Sequence, residues 1–387
     1  MPRSFRPCQK KLSSSSFYQF YQPIVRILPQ VPVRAPRGDR PLQMTFEDQL
    51  KALIFFHLEE HVSARHMLQV LEQDDFASKN IAPENGISRS SFSEAINSRG
   101  LEQLQFIFET LSRNASDILP NPYRKFGDLV AIDGSLINAT LSMSWADYRK
   151  SSKKAKIHLG FNLNQGTPSK IFFTTGNGAE RPFVSQLISP GQTAVADRGY
   201  QEHALFDSLQ SDGKSFVIRI KANTTKTVIE KNDFKTGGIV FFDALVLLGT
   251  DQNNNQTQKP VRLIGYRVAG VDYWVATDRK DLLAEQVAEI YRLRWNIENF
   301  FAWWKRHLKV YHLIARSQYG LMVQILAGLI TYLLLAIHCH EKHGENVSIK
   351  RVRELRLQIQ NELRESEALL NHQITKEQKY QNLYAIT

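Results

Sequence analysis

Residues 291–305 read YRLRWNIENFFAWWK. Wound as a helix at about 100° per residue, this segment places Tyr291, Arg294, Glu298 and Lys305 within about 60° of one another, over about 21 Å of length. Ile290, Leu293, Ile297, Phe301, Trp304 and Leu308 form a second, apolar stripe about 90° away. A long helix from near Leu282 through Lys305 can therefore bury one stripe and line a site with the other. The bland alternative is a solvated face with Arg294–Glu298 as an i,i+4 ion pair, worth about 0.2–0.5 kcal/mol.

Working upstream, the period changes from helical to strand-like at Asp128. Leu129-Val130-Ala131-Ile132 is a short apolar run ending in Asp133-Gly134. Ile157, Leu159, Phe161 and Leu163 then alternate with polar residues, as a half-buried strand does. Lys170–Thr174 and Phe216–Lys221 read as further strands. Thr193-Ala194-Val195-Ala196 is another apolar run, ending in Asp197. Adjacent strands followed by strands separated by helices predict a mixed α/β sheet. Ligands of such sheets collect at the carboxyl ends of strands, which makes Asp133 and Asp197 candidate site residues. Each could instead be a turn or cap residue.

Three carboxylates, Asp133, Asp197 and Glu298, are the donors that a hard divalent cation takes. Mg²⁺ prefers oxygen ligands and keeps positions open for water and phosphate. Two such ions clamp the attacking and leaving oxygens of an in-line phosphoryl transfer. Arginine and lysine beside them would hold a phosphodiester. The composition agrees: 49 Lys and Arg against 38 Asp and Glu give a formal charge of +11, which favours a polyanionic partner.

These residues together resemble a DDE transposase. They are Asp133 in Ala131-Ile132-Asp133-Gly134-Ser135, Asp197 in Ala196-Asp197-Arg198-Gly199-Tyr200, and the Tyr-x2-Arg-x3-Glu-x6-Lys pattern at 291–305. The pattern is that of the insertion sequence 4 family, with its Tyr-Arg-Glu-Lys signature, and the likeness covers about residues 125–340. It implies an α/β fold: an RNase H-like mixed sheet with flanking helices, a β-rich insertion before the last catalytic helix, and a helical N-terminal domain. It makes Asp133, Asp197 and Glu298 the metal-binding catalytic triad, with two Mg²⁺ ions that Mn²⁺ can replace. Tyr291, Arg294 and Lys305 would contact phosphates at the transposon end. Members of the family cut through a DNA hairpin with a flipped base stacked on a tryptophan, and Trp274 sits in the matching segment. A core tryptophan on a strand reads the same way. Arg198 and the run Arg149, Lys150, Lys153, Lys154, Lys156 are looser phosphate candidates. The partners implied are double-stranded DNA, as transposon ends and target, and a second copy of the chain in a synaptic homodimer, with no membrane.

The rest of the chain divides by texture. Residues 1–44 carry eight basic side chains against one acid, seven of the 14 prolines and the run Ser13–Ser16. They read as a mostly irregular arm, either a leader or a DNA contact. Residues 45–120 read as a helical domain, with Thr45 and Asp48 as a capping box and Ser88–Ser91 offering hydroxyls at a helix start. The core then spans 121–221 and 281–345 around a β-rich insertion at 222–280, and 346–387 is a charged helical tail. Leu321–Ile337 is at the short limit for a membrane span and reads as a buried core helix. Cys8 and Cys339 are too few for a disulfide framework or a thiolate zinc site, and His338, Cys339, His340 and His343 do not share a helix face. A cytoplasmic, nucleoid-associated protein follows. Two other functions stay open: a metal-dependent nuclease of the same fold, and a catalytically silent DNA-binding repressor derived from a transposase.

Overall fold

The computed structural model describes residues 16–33, 42–74, 77–83, 85–138, 147–149, 152–234, 237–252, 255–315 and 317–362, with 147–149 and 152–153 described by backbone alone. The chain divides into two compact units, residues 112–306 and residues 1–111 with 307–387. The helices are α1 (Ser16–Ile27), α2 (Phe46–Leu58), α3 (Ala64–Gln73), α4 (Arg89–Ser98), α5 (Leu101–Ile118), α6 (Val184–Leu187), α7 (His203–Ser211), α8 (Ala284–Leu293), α9 (Trp295–His307) and α10 (Gln318–His343). Residues 349–362 are also helical.

In the unit that holds both ends of the chain, α10 packs against α1, α2 and α4. Its most apolar 18-residue window is 94% buried, so the Leu321–Ile337 stretch is a core helix. The capping box at α2 is formed, with Thr45 Oγ1 accepting from the Asp48 N–H at 3.1 Å and Asp48 Oδ2 accepting from the Thr45 N–H at 2.8 Å. His57 is fully buried, its ring nitrogens 2.6 Å from the Leu308 carbonyl and 3.1 Å from that of Gln324.

Two expectations need correction here. The stretch 1–44 is not irregular throughout, because 16–27 forms α1 despite Pro23 inside it. Burial of Phe17, Phe20, Tyr21, Ile24 and Ile27 explains this. Each such side chain contributes about 1.5–3 kcal/mol, together well above the roughly 3 kcal/mol that an interior proline costs. The basic residues Arg3, Arg6, Lys10, Lys11, Arg34, Arg37 and Arg40 lie outside the described residues, as does the tail beyond residue 362. Nor do residues 281–345 form a single second half of the core. The division falls at Arg306, and α10 belongs with the N-terminal helices.

The other unit is built on one sheet. Its strands are β1 (Asp128–Asn138), β2 (Asp147–Arg149), β3 (Ser152–Asn162), β4 (Thr167–Thr175), β5 (Gln192–Ala196), β6 (Ser215–Arg219), β7 (Lys226–Lys231), β8 (Val240–Thr250), β9 (Asn255–Gln256), β10 (Val261–Val268) and β11 (Val271–Thr277). The order is β2-β3-β1-β5-β6-β11-β10-β8-β7, with β4 also pairing β3 and β9 pairing β8. β1, β3 and β4 pair antiparallel, whereas β5 and β6 run parallel to β1 and α7 makes the crossover between them. The sequence β4-β3-β1-β5-β6 is the RNase H-like arrangement.

The β-rich segment continues this sheet. β11 pairs antiparallel with β6 through Thr277↔Val217, Ala276↔Ile218 and Val275↔Arg219, covering what would be an open edge. Gly265 on β10 leaves room for the Phe241 ring, to which a Cβ there would come within 2.6 Å. Val130, Ile132, Ala194, Ala196, Phe216, Ile218, Leu263 and Ala276 form the core of one sheet face.

Candidate active site

β1 outruns its parallel neighbour, and the first candidate aspartate sits at that point. β5 pairs with β1 only from Asp128 to Ala131, while β3 stays paired with β1 through Asn138. Asp133 is therefore inside a strand rather than at its end, but it lies where one side of the strand is released. Asp133 lies two residues past the last β1–β5 pair, Ala131↔Val195, and Asp197 directly follows β5, whose last pair with β6 is Ala196↔Ile218. Successive side chains of an extended chain point to opposite sheet faces. Asp133, Asp197 and Arg219 thus occupy the face opposite the apolar cluster of Ile132, Ala196 and Ile218.

Asp197 caps the tight turn Arg198–Tyr200, accepting the Gly199 N–H on Oδ1 at 2.8 Å. Its second oxygen has no hydrogen bond among the described residues. Being a cap and facing the site are compatible. Asp133 accepts the Gly134 N–H at 2.8 Å. Burial pushes its carboxyl up to about 7, and Asp197 and Glu180 push the same way, against the Gly134 N–H and Arg294. A desolvated carboxylate of this kind favours a cation beside it.

The long helix is interrupted. Arg294 separates α8 from α9, and the N–H groups of Arg294 and Ile297 donate to Tyr291 and Arg294 carbonyls in i→i−3 bonds of 3.1 and 3.2 Å. A single tightened turn of this kind shifts the two halves of a helix face relative to each other. Tyr291 and Arg294 are buried, so the solvated-face alternative does not hold for them. Arg294 Nη2 lies 2.6 Å from Glu298 Oε1, and its charge acts on Asp133. Lys305 donates to Ser135 Oγ and to the Leu136 carbonyl at 3.0 Å. Burial lowers its ammonium to about 8, with Asp133 opposing the shift and Lys154 adding to it. Burial likewise raises the Tyr291 phenol. Asp133, Asp197, Tyr291, Arg294, Glu298 and Lys305 are therefore drawn into one neighbourhood.

Trp274 lies on the other face of the sheet, packed against the apolar cluster. Phe241 and Phe242 flank its ring at 5.3 and 5.2 Å, and Lys226 Nζ stands 4.3 Å above it. Arg198 is exposed beside Asp197. Of the basic run, Lys150 lies outside the described residues and Arg149 and Lys153 are described by backbone only, whereas Lys156 is buried in an ion pair with Glu180.

The sequence reading passed over several neighbours. Arg219 stands 4.6 Å from the centroid of the Tyr273 ring, and Tyr273 packs 6.3 Å from Tyr291. Trp295, 58% exposed, adjoins Arg294 with the guanidinium 5.4 Å from its ring. An arginine inside the apolar run Phe216–Ile220 was a legible signal. Glu180 was not, because it lies on a connection without periodicity.

Oxygen-only donors suit a hard divalent cation in kind. Among the described residues no three His, Cys, Asp or Glu side chains are gathered closely enough to hold a metal as they stand, and Glu298 is engaged by Arg294. The carboxylates that could hold one are Asp133, Asp197 and, on leaving Arg294, Glu298.

Residues 124–334 match the family described as the transposase DDE domain. The chain belongs to the DDE transposase family. A relative from Geobacillus stearothermophilus, named as a probable transposase for insertion sequence element IS5377, is 31% identical over 54% of this chain and 55% of its own length. A relative from Synechocystis, named as a putative transposase for insertion sequence element IS4SA, is 25% identical over 69% of this chain and 76% of its own. This DDE chain thus spans little more than half the length of the first relative and about three quarters of the second. A solved piggyBac transposase synaptic complex with hairpin DNA is similar at a TM-score of 0.45 and 12% identity, covering 92% of this chain and 82% of that one.

Proposed function

We propose that this chain is the DNA transposase of an insertion sequence, cutting element ends and joining them to target DNA by phosphoryl transfer at Asp133, Asp197 and Glu298. The observation that carries this reading is that Asp133 lies where β1 parts from β5, near enough to Asp197, just beyond β5, to feel its charge, with Arg294 and Lys305 also within electrostatic reach of Asp133. Asp133 and Asp197, joined by Glu298, would hold Mg²⁺ or Mn²⁺. Two such ions, when bound, supply Lewis-acid activation of the attacking and leaving oxygens.

The remaining roles belong to side chains of the chain itself. Lys305 and Arg294 hold the scissile phosphodiester, and Tyr291 donates its phenol, kept protonated by burial, to a neighbouring phosphate. The exposed Arg198 takes a backbone phosphate farther along the strand. Hydrolysis of one strand frees a 3′ hydroxyl, which attacks the opposite strand to close a hairpin end and expels the flanking DNA with its own 3′ hydroxyl. Water then opens the hairpin, and the regenerated 3′ hydroxyl attacks a target phosphodiester, expelling a target 3′ hydroxyl. Trp295 offers an exposed ring for an extruded base. Trp274 serves that role only with Lys226 lifted from its face. We place the protein in the cytoplasm, on the nucleoid, acting as a homodimer that pairs two ends.

The test is strand transfer with pre-cut ends, made from the DNA that flanks the coding region. Joined products with Mg²⁺ are expected. Hydrolysis without joining would support the nuclease alternative, and neither reaction would leave the silent repressor.

A further inference from the structure

A fourth acid, Glu180, lies where the two candidate aspartates meet, and no part of the Tyr-Arg-Glu-Lys pattern includes it. It sits on the connection after β4, at the start of the short turn Arg181–Phe183. Its Oε1 accepts from Lys156 Nζ at 3.0 Å, and the same ammonium donates to the Gly178 carbonyl at 2.9 Å. The Lys156 side chain is 8% exposed and that of Glu180 35%, so the pair is anchored at its lysine end.

Held this way, the Glu180 carboxylate presses on both aspartate-bearing segments. On one side it lies against Gly134, next to Asp133; a Cβ on Gly134 would stand 2.9 Å from its carboxyl carbon and from Oε1. On the other side is Tyr200, three residues beyond Asp197. Tyr200 is 2% exposed, and its hydroxyl, without a closed hydrogen bond, lies close enough to Glu180 to interact with it. The next residue repeats the connection, since Arg181 Nε donates to the Gly199 carbonyl at 3.1 Å. The turn carrying Asp197 is thereby tied to the strand carrying Asp133 through residues 180 and 181.

We propose that Glu180 is a positioning residue, which braces the Asp197 turn against β1 at Gly134 and so sets the separation of Asp133 and Asp197. Its Oε1 is engaged by Lys156, which makes it a support from behind rather than a ligand. This rests on the reading of Asp133 and Asp197 as cation ligands. Residues that orient ligands from behind typically change metal affinity or activity about 10–100-fold.

The experiment is a Mn²⁺ titration of the full chain without DNA, followed by the electron paramagnetic resonance of free Mn²⁺. Thermal unfolding and binding to end DNA are measured on the same samples. Wild type should bind and Asp133→Asn should not, which secures the ligand reading first. Glu180→Ala should weaken Mn²⁺ binding about 10–100-fold with end binding retained. Glu180→Gln keeps an oxygen for Lys156 and the bulk against Gly134, and should restore most of the affinity. Should Glu180→Ala unfold, Gly134→Ala displaces the carboxylate without removing it, and the same weakening is expected. Wild-type affinity in Glu180→Ala, or in Gly134→Ala where that variant is needed, overturns the brace alone. Equal defects in Glu180→Ala and Glu180→Gln also overturn it, because the charge itself would then be what matters. A wild type that takes up no Mn²⁺ overturns the ligand reading and the brace together.

Discussion

Arg294 Nη2 stands 2.6 Å from Glu298 Oε1, with only 10% of the arginine side chain exposed. One guanidinium thus engages the third acid of the pattern while its charge reaches the first, Asp133. Lysine at this position keeps the charge but not the planar fork. Loss of one charge-assisted hydrogen bond from Arg294 to the scissile phosphodiester, about 1.5–3 kcal/mol, corresponds to about 10–100-fold in rate. Arg294→Lys should therefore slow single-turnover cleavage by about that factor with unfolding little changed. A wild-type rate would remove Arg294 from the site.

Stability should fall in acid through His57. Burial lowers its imidazole from 6.5 to about 4, and the two carbonyls it faces oppose the shift only in part. The folded value lies below the unfolded one, so the unfolded chain binds the extra proton between about pH 6.5 and 4. Stability is complete above that window and is lost as pH falls through it, by about 3 kcal/mol for this residue. His61, His158 and His338, also lowered to about 4 by burial, add to the slope. Urea midpoints at pH 7 and pH 4.5 measure it. A flat profile would show that these rings are not held neutral.

The pair Asp243–Arg262 should matter for folding rather than chemistry. Arg262 donates to both oxygens of Asp243, at 3.0 and 2.7 Å, and to the carbonyls of Arg279 and Leu282 at 3.1 and 2.6 Å. Both side chains are buried. Asp243→Ala leaves the guanidinium uncompensated and should cost about 3–5 kcal/mol in denaturant unfolding. A loss within 0.5 kcal/mol, the usual range for surface sites, would mean that the pair is effectively solvated.

The two tryptophans can be separated optically. With 2-aminopurine at the extruded position of an end duplex, stacking quenches its fluorescence. Trp295→Ala should lift that quenching and Trp274→Ala should leave most of it, because Lys226 and Phe241 already occupy the Trp274 ring. The reverse result would place the base on the other face of the sheet.

Much of this site is visible in the residue pattern, for physical reasons that differ by element. The two apolar runs ending in aspartate are the buried stretches where β1 and β5 pair in parallel, and these leave a nearly continuous hydrophobic signature. The face of Tyr291, Arg294, Glu298 and Lys305 follows from helical periodicity alone. The break at Arg294 does not, because a single i→i−3 turn alters no residue type. The face of Trp274 was hidden too. It depends on the register of β11 against β6, which comes from pairing between segments about 60 residues apart. Glu180 had no local pattern, since its contacts arise where the connection after β4 meets β1 at Gly134, β3 at Lys156 and the turn Arg198–Tyr200. Helix α1 was masked by Pro23 and by the basic, proline-rich composition around it.

The most direct test of the catalytic assignment is Mg²⁺-dependent cleavage of an end duplex by Glu298→Gln, with binding to the same duplex measured in parallel. The substitution keeps the size of the side chain and an oxygen for Arg294, and removes the charge. Cleavage should be abolished while end binding persists. Cleavage at the wild-type rate would contradict Asp133, Asp197 and Glu298 as the catalytic set.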